Sequence, residues 1–222
     1  IVTDALTAFG LQAKDSTKFA NVLAAASSNA NTNVSLMGDT FKYVAPLAGS
    51  LKYSVEDVAL AVGLMANAGI KGEQAGTALR STFTRLVDPP KEAAVAMEAL
   101  GINVKNADGS VKPLMQTMQE LRKAFNGLSD SQKAEYASSL AGKEAMSGFL
   151  ALVNASDADF NKLSKAVNNA DGSAAEMAKT MQNNLQGQFK QFQSVTEGIG
   201  ISIYDKFKKP LTEAFSGVNG AL

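Results

Sequence analysis

The chain has 222 residues, of which 45% are hydrophobic, and it carries no net charge because 21 basic side chains balance 21 acidic ones. This length and composition allow one buried core, and the balanced charge gives no overall field that would attract nucleic acid or an anionic membrane. Cysteine and histidine are absent, which excludes disulfides, thiolate or imidazole metal ligands, and nucleophiles that depend on histidine.

The chain opens with IVTDALTAFG, which contains neither an initiator methionine nor a signal-peptide pattern. We therefore expect it to be a piece of a larger protein. Its longest apolar stretches, such as VALAVGLMA at 58–66, are much shorter than the roughly 18 residues of a membrane span. We predict no membrane span in this piece.

Most of the chain consists of alanine-rich segments with apolar residues three and four positions apart, which predicts packed amphipathic helices. The predicted helices cover residues 15–29, 36–49, 55–68, 72–87, 90–100, 113–126, 130–140, 143–154, 157–169 and 174–207. Capping patterns place the starts of four helices directly after Ser54, Ser129, Ser156 and Ser173. Left-handed glycines are predicted to end three helices, at Gly69, Gly101 and Gly127.

One segment, GINVKNADGSVKPL at 101–114, departs from the helical period. Its apolar residues alternate on either side of Asp108-Gly109, which is typical of a tight turn between two strands. We predict a small β-hairpin here, with an extended loop as the alternative. The predicted fold is therefore all-α, a multi-helix domain of short capped helices with one small β-hairpin and a long C-terminal helix.

The glycine-rich stretch NAGIKGEQAGTALR at 67–80 raises the question of a phosphate-binding loop. A P-loop needs GxxxxGK followed by Ser or Thr, after a strand, whereas Thr77 and Ala78 follow the last glycine here and a predicted helix precedes the stretch. We interpret IKG as a corner at which small residues let two helices approach closely. The residues of this helix corner are Gly69, Gly72, Ala75 and Gly76. An anion held beside Lys71 is the alternative.

Without histidine and cysteine, only carboxylate pairs or a serine–lysine arrangement could support catalysis. Adjacent carboxylates such as Glu56 and Asp57 do not face each other across a substrate. Glu144, in the small and apolar context AGKEAMSG, could act as a general acid if burial raised its pKa. We predict no catalytic residue, no metal site and no cofactor, and we keep Glu144 as the alternative.

The last predicted helix, 174–207, has an almost continuous line of apolar side chains, and its other face is rich in Asn and Gln. A narrow apolar line on a polar helix favours packing against a partner helix, from the same domain or from another copy of the chain. The residues of this apolar seam are Leu185, Phe189, Phe192, Ile199 and Ile203. We therefore predict two parts, a compact helical module at 1–170 and a long amphipathic helix within 171–222 that leads to a missing C-terminal part.

The stretch NAGIKGEQAGTALRS also carries a family resemblance, together with five flanking stretches in the same order. These are ALTAFGLQA, YVAPLAGSLKYSVEDVA, RLVDPPKEAAVAMEALGI, DGSVKPL and GKEAMSGFLALV. On these stretches the chain resembles the helical core region of phage tail tape measure proteins, also called minor tail proteins. Leu140-Ala141-Gly142-Lys143 departs from the family, which often has an aromatic residue before this glycine.

The resemblance implies a structural protein of the virion, present in the host cytoplasm during assembly, that occupies the tail tube, templates its length and leaves before the DNA during ejection. It implies as partners other copies of the chain, as a trimer, the tail tube and tail tip proteins, and the tail assembly chaperones. It implies no specific nucleic acid. A helical adaptor for another protein and a weak muralytic enzyme that relies on Glu144 are the alternatives.

Overall fold

The structure, a computed structural model, describes residues 2–185 and residue 188, and most of these residues are helical. The α-helices are, in chain order, α1 (Val2–Ala8), α2 (Ser16–Asn29), α3 (Val34–Ser50), α4 (Val55–Asn67), α5 (Gly72–Val87), α6 (Lys91–Leu100), α7 (Leu114–Phe125), α8 (Asp130–Ala141), α9 (Met146–Val153) and α10 (Asp157–Asn168). A short 3-10 turn, Ala13–Asp15, joins α1 to α2. The all-α prediction is confirmed.

Three of the predicted serine caps begin helices as expected. The hydroxyls of Ser54, Ser129 and Ser156 each accept a hydrogen bond from the backbone N–H three residues later, at 3.1, 3.4 and 3.0 Å. Gln132 also accepts from the backbone N–H of Ser129 at 3.0 Å, which completes a reciprocal capping box at the start of α8. These bonds satisfy N–H groups that a helix start leaves without a partner inside the helix.

Two of the three predicted glycine ends are present. Gly69 and Gly101 have φ angles of 88° and 66°, and the residue after each donates its N–H back into the last turn, from Ile70 to the Met65 carbonyl at 2.9 Å and from Ile102 to that of Met97 at 2.8 Å. This pattern closes a helix through a left-handed residue. The prediction for Gly127 is wrong, because its φ is not positive; α7 ends at Phe125, and Asn126 is its C-cap residue.

The predicted β-hairpin is not formed by strands. The segment 101–114 is a loop with one isolated antiparallel bridge, between Lys105 and Val111, and residues 2–185 contain no strand. The ladder does not extend because Pro113 has no N–H to donate. In the segment that faces Pro113, the side chain of Asn103 accepts a hydrogen bond from the N–H of Lys105 at 2.9 Å. This bond fixes a local turn there instead of an extended strand.

Contacts between residues divide the chain into two units, with the boundary after Ala175. The first unit contains α1–α10 and the core. In the second unit, residues 176–185 are helical, and the side chains of Met181 and Leu185 are exposed. The predicted long helix at 174–207 is therefore described only in its first part, and the rest of it lies outside the described residues.

Helix α4 lies at the centre of the first unit. All of its residues from 58 to 66 are buried, and it contacts α2, α3, α5, α7, α9 and α10. A helix that is covered on every side must be apolar all round, which explains the uninterrupted sequence VALAVGLMA. Its Gly63 lies against Leu163 of α10, and Gly148 of α9 lies against its Met65, so closely that an added Cβ would overlap both side chains.

Val62→Ala is expected to lower the free energy of unfolding by about 2 kcal/mol, because it removes buried methyl groups and leaves a cavity inside the surrounding helices. The matched control is Val95→Ala on α6, since Val95 is 59% exposed whereas Val62 is 1% exposed. Both substitutions raise helix propensity equally, so their difference measures burial alone. Equal urea midpoints for the two variants would contradict a central position for α4.

Candidate functional site

The corner between α4 and α5 joins two helices and contains no strand. Helix α4 ends through Gly69, and α5 begins at Gly72, whose φ of 59° lies in the left-handed region. Lys71 precedes the helix with extended backbone angles, and its side chain makes no capping bond. The strand that must precede a P-loop is therefore replaced by a buried helix, and the geometry of a nucleotide loop is absent from this corner.

The first turns of α5 lie directly on α3. The Thr40 hydroxyl is completely buried and donates to the carbonyl of Gly72 at 2.9 Å. An added Cβ on Gly76 would lie 2.7 Å from the Thr40 carbonyl oxygen and 2.7 Å from the Tyr43 Cβ. Ala75, beside Gly76, is fully buried. The structure thus places two of the four predicted corner residues, Gly72 and Gly76, at this contact, whereas a Cβ on Gly69 would meet nothing within 4 Å.

A second set of contacts, which the sequence analysis did not find, attaches α5 to the end of α8. Arg85 donates from Nη2 to the Ser139 carbonyl at 2.9 Å and to Glu92 at 2.7 Å. The Ser81 hydroxyl donates to the Ala141 carbonyl at 2.7 Å. These donors satisfy carbonyl groups that the helix end leaves free. Ser139 and Ala141 lie more than fifty residues after their donors in the sequence, so no local pattern points to these two contacts.

The adjacent carboxylates Glu56 and Asp57 bond to different neighbours. Glu56 forms an ion pair with Lys18 at 2.7 Å, whereas Asp57 accepts from the N–H of Met115 at 3.2 Å, in the first turn of α7. Burial raises the pKa of Asp57, and the bond from Met115 opposes that rise. These contacts hold helix ends together, and the two carboxylates do not form an acid–base pair.

Tyr53, in the turn between α3 and α4, is a titratable group that the fold buries. Its ring is almost fully buried and meets the ring of Phe83 edge-on, with centroids 5.1 Å apart. Burial raises the pKa of its hydroxyl to about 12. The aromatic contact of Tyr53 joins the turn to α5.

The structure does not provide the buried, apolar setting on which the alternative catalytic role of Glu144 depended. Its side chain is exposed in the turn between α8 and α9, so no apolar pocket surrounds its carboxyl group. Within residues 2–185, no group of three or more acidic side chains is placed to hold a metal ion. No helix in that range is long and apolar enough to cross a membrane.

Of the predicted apolar seam, the structure describes one residue. Leu185 is 69% exposed on the helix of the second unit. The other four seam residues, Phe189, Phe192, Ile199 and Ile203, lie outside the described residues. The seam therefore stays a prediction.

Comparison with known proteins decides the family. A family model for "Phage-related minor tail protein" matches residues 1–142, which include the helix corner and α8. The chain belongs to the phage-related minor tail protein family. The members of this family are structural components of phage tails and are therefore located in the virion.

Two relatives are similar over most of the chain. The "Tape measure protein" of Pneumococcus phage Dp-1 is 35% identical over 221 residues, which is 100% of this chain and 19% of the relative. The "Probable tape measure protein" of Escherichia phage P2 is 36% identical over 173 residues, 77% of this chain and 21% of the relative. The chain thus spans about a fifth of the length of these relatives. No solved structure matches it.

Gly76→Ala is expected to destabilise the first unit by ~1–3 kcal/mol, because the new methyl group would force α3 away from α5. Gly127→Ala is the matched control, since a Cβ there meets nothing within 4 Å and the φ of Gly127 is not positive. Urea denaturation of both variants measures the difference.

Lys71→Ala separates the packing interpretation of the corner from the anion alternative. It should leave stability unchanged, because the Lys71 side chain makes no capping bond. If Lys71→Ala abolished phosphate binding by the protein while Gly76→Ala unfolded at the same urea concentration as the unsubstituted chain, the packing account would be wrong.

Proposed function

We propose that this chain is a folded module of a tape measure protein that templates the length of the tail tube and is released during DNA ejection. The observation that carries the proposal is similarity over the full length of the chain to a protein described as a tape measure protein. The role is structural, and no catalytic residue takes part in it.

The module itself is proposed to be a compact part of the assembly and not a segment of the ruler. A ruler made of one continuous helix would contribute about 1.5 Å per residue, so residues 1–170 would account for about 250 Å of tube. Six other helices contact α4 and bury its residues 58–66. An extended ruler would separate these helices from α4 and expose this apolar sequence to water, which opposes the extended form.

The continuation after residue 171 is proposed as the start of the extended part. The helix at 173–185, with Met181 and Leu185 exposed, is consistent with an apolar surface that a partner helix covers. We propose other copies of the chain, as a trimer, as that partner. Tail tube proteins, tail tip proteins and tail assembly chaperones are the further proposed partners of the whole protein.

An in-frame deletion of residues 1–170 from the full-length gene should block or disorder tail assembly, because it removes a folded module. The matched variant is Val62→Asp, which places a charge inside the core and unfolds the module without changing the length of the protein. Electron microscopy of tails from both strains is the measurement. Infectious tails shorter by about 250 Å in the deletion strain, together with normal tails in the Val62→Asp strain, would show that the region is a ruler.

A further inference from the structure

A polar cleft of about 510 Å³ lies between the ends of α7 and α9 and the starts of α8 and α10. Its volume falls within the range of about 300–1,000 Å³ that is usual for ligand sites in proteins. The cleft is separate from the helix corner, because it shares no lining residue with α3 or α5. Nothing in the packing of the corner accounts for it.

The inner wall of the cleft is built around Arg122. Its guanidinium group donates to the carbonyls of Leu152 and Ala155, at 3.3 and 2.5 Å, and to the Asp157 carboxylate at 2.7 Å. It also lies 4.7 Å from the ring centre of Phe160. Because Arg122 is bonded to two helix ends and stacked on a ring, this wall is preorganised and its charge is neutralised by Asp157.

The other polar side chains around the cleft are free to bind a ligand. They are the carboxamides Gln119, Asn126, Asn154 and Asn161 and the amines Lys123 and Lys133. Within the part of the chain that the structure describes, none of these six side chains has an intramolecular hydrogen bond or ion pair. A carboxamide offers both a donor and an acceptor, which matches the N–H and C=O of a peptide group. The two lysines add two positive charges that suit carboxylates.

Two observations narrow the ligand class. The aromatic rings at the cleft, Phe125 and Phe160, are buried at 1% and 6% exposure, so they offer no face on which a nucleic-acid base could stack. The chain itself is a poor occupant, because no window of six residues in its sequence contains more than two acidic side chains. A partner protein with a denser acidic segment fits both the charge and the carboxamides.

We propose that this cleft binds an extended acidic segment of another protein. The carboxamides Asn154 and Asn161 bond to the backbone of the segment, and Lys123 and Lys133 pair with its carboxylates. This inference goes beyond the proposed function, since it concerns a recognition surface on the folded module and holds whether or not the module leaves the tail during ejection.

The test uses the full 222-residue chain and a labelled peptide of six residues that alternates glutamate and alanine, with blocked ends. The control peptide has glutamine in place of glutamate, and a six-nucleotide oligothymidylate serves as a competing anion. Fluorescence anisotropy at low and physiological salt measures binding. The glutamate peptide should bind at least tenfold more tightly than the glutamine peptide, and added salt should weaken its binding.

Charge reversal at the cleft, Lys123→Glu with Lys133→Glu, should lower affinity for the glutamate peptide at least tenfold. The matched control is Lys14→Glu with Lys143→Glu, since both lysines are exposed and lie outside the cleft, and this control should bind as the unsubstituted chain does. Asn154→Ala with Asn161→Ala should weaken binding of the peptide without changing its salt dependence. Circular dichroism melts should match across all variants, because none of these side chains has a partner within the described residues.

Three results would overturn the proposal. The first is equal binding of the glutamate and glutamine peptides. The second is unchanged affinity after the charge reversal at the cleft. The third is tighter binding of the oligothymidylate than of the glutamate peptide, with the same loss on charge reversal, which would assign the cleft to nucleic-acid phosphates.

Discussion

The burial of α4 on every side is the constraint on which the rest of the first unit depends. A helix that contacts six others can have no polar face, and its neighbours must approach closely enough to leave no voids. This requirement explains the small residues at these contacts, because the side chain of Leu163 packs directly on Gly63 and that of Met65 packs directly on Gly148. Six of the surrounding helices therefore share α4 as a common packing partner.

The polar contacts of the unit occur mainly at helix ends, where backbone groups have no partner inside the helix. Thr40 bonds to the start of α5, Arg85 to the end of α8, and Asp57 to the start of α7. Each contact joins segments that are distant in sequence. They fix the directions in which the helices leave the core, which the non-directional hydrophobic effect does not specify.

The sequence predicted those features that depend on local chemistry. Ser54, Ser129 and Ser156 begin helices, and Gly69 and Gly101 end them, because capping needs only residues within one turn. The prediction of a hairpin at 101–114 was wrong because Pro113 prevents the bridge from extending into a ladder. The proline is a local signal too, but the prediction gave more weight to the Asp108-Gly109 turn. The bonds of Arg85 and Arg122 to backbone carbonyls could not be predicted, since only the tertiary fold brings those carbonyls near.

We expect residues of α4 to form the most stable part of a cooperatively folded module. Native-state hydrogen exchange of the full chain tests it most directly, because amides in the core of a cooperative unit exchange only through global unfolding. The account predicts that the amides of residues 60–66 exchange with an opening free energy equal to the free energy of unfolding measured in urea. Exchange of these amides through a smaller local opening, while those of α3 and α5 remain protected, would contradict it.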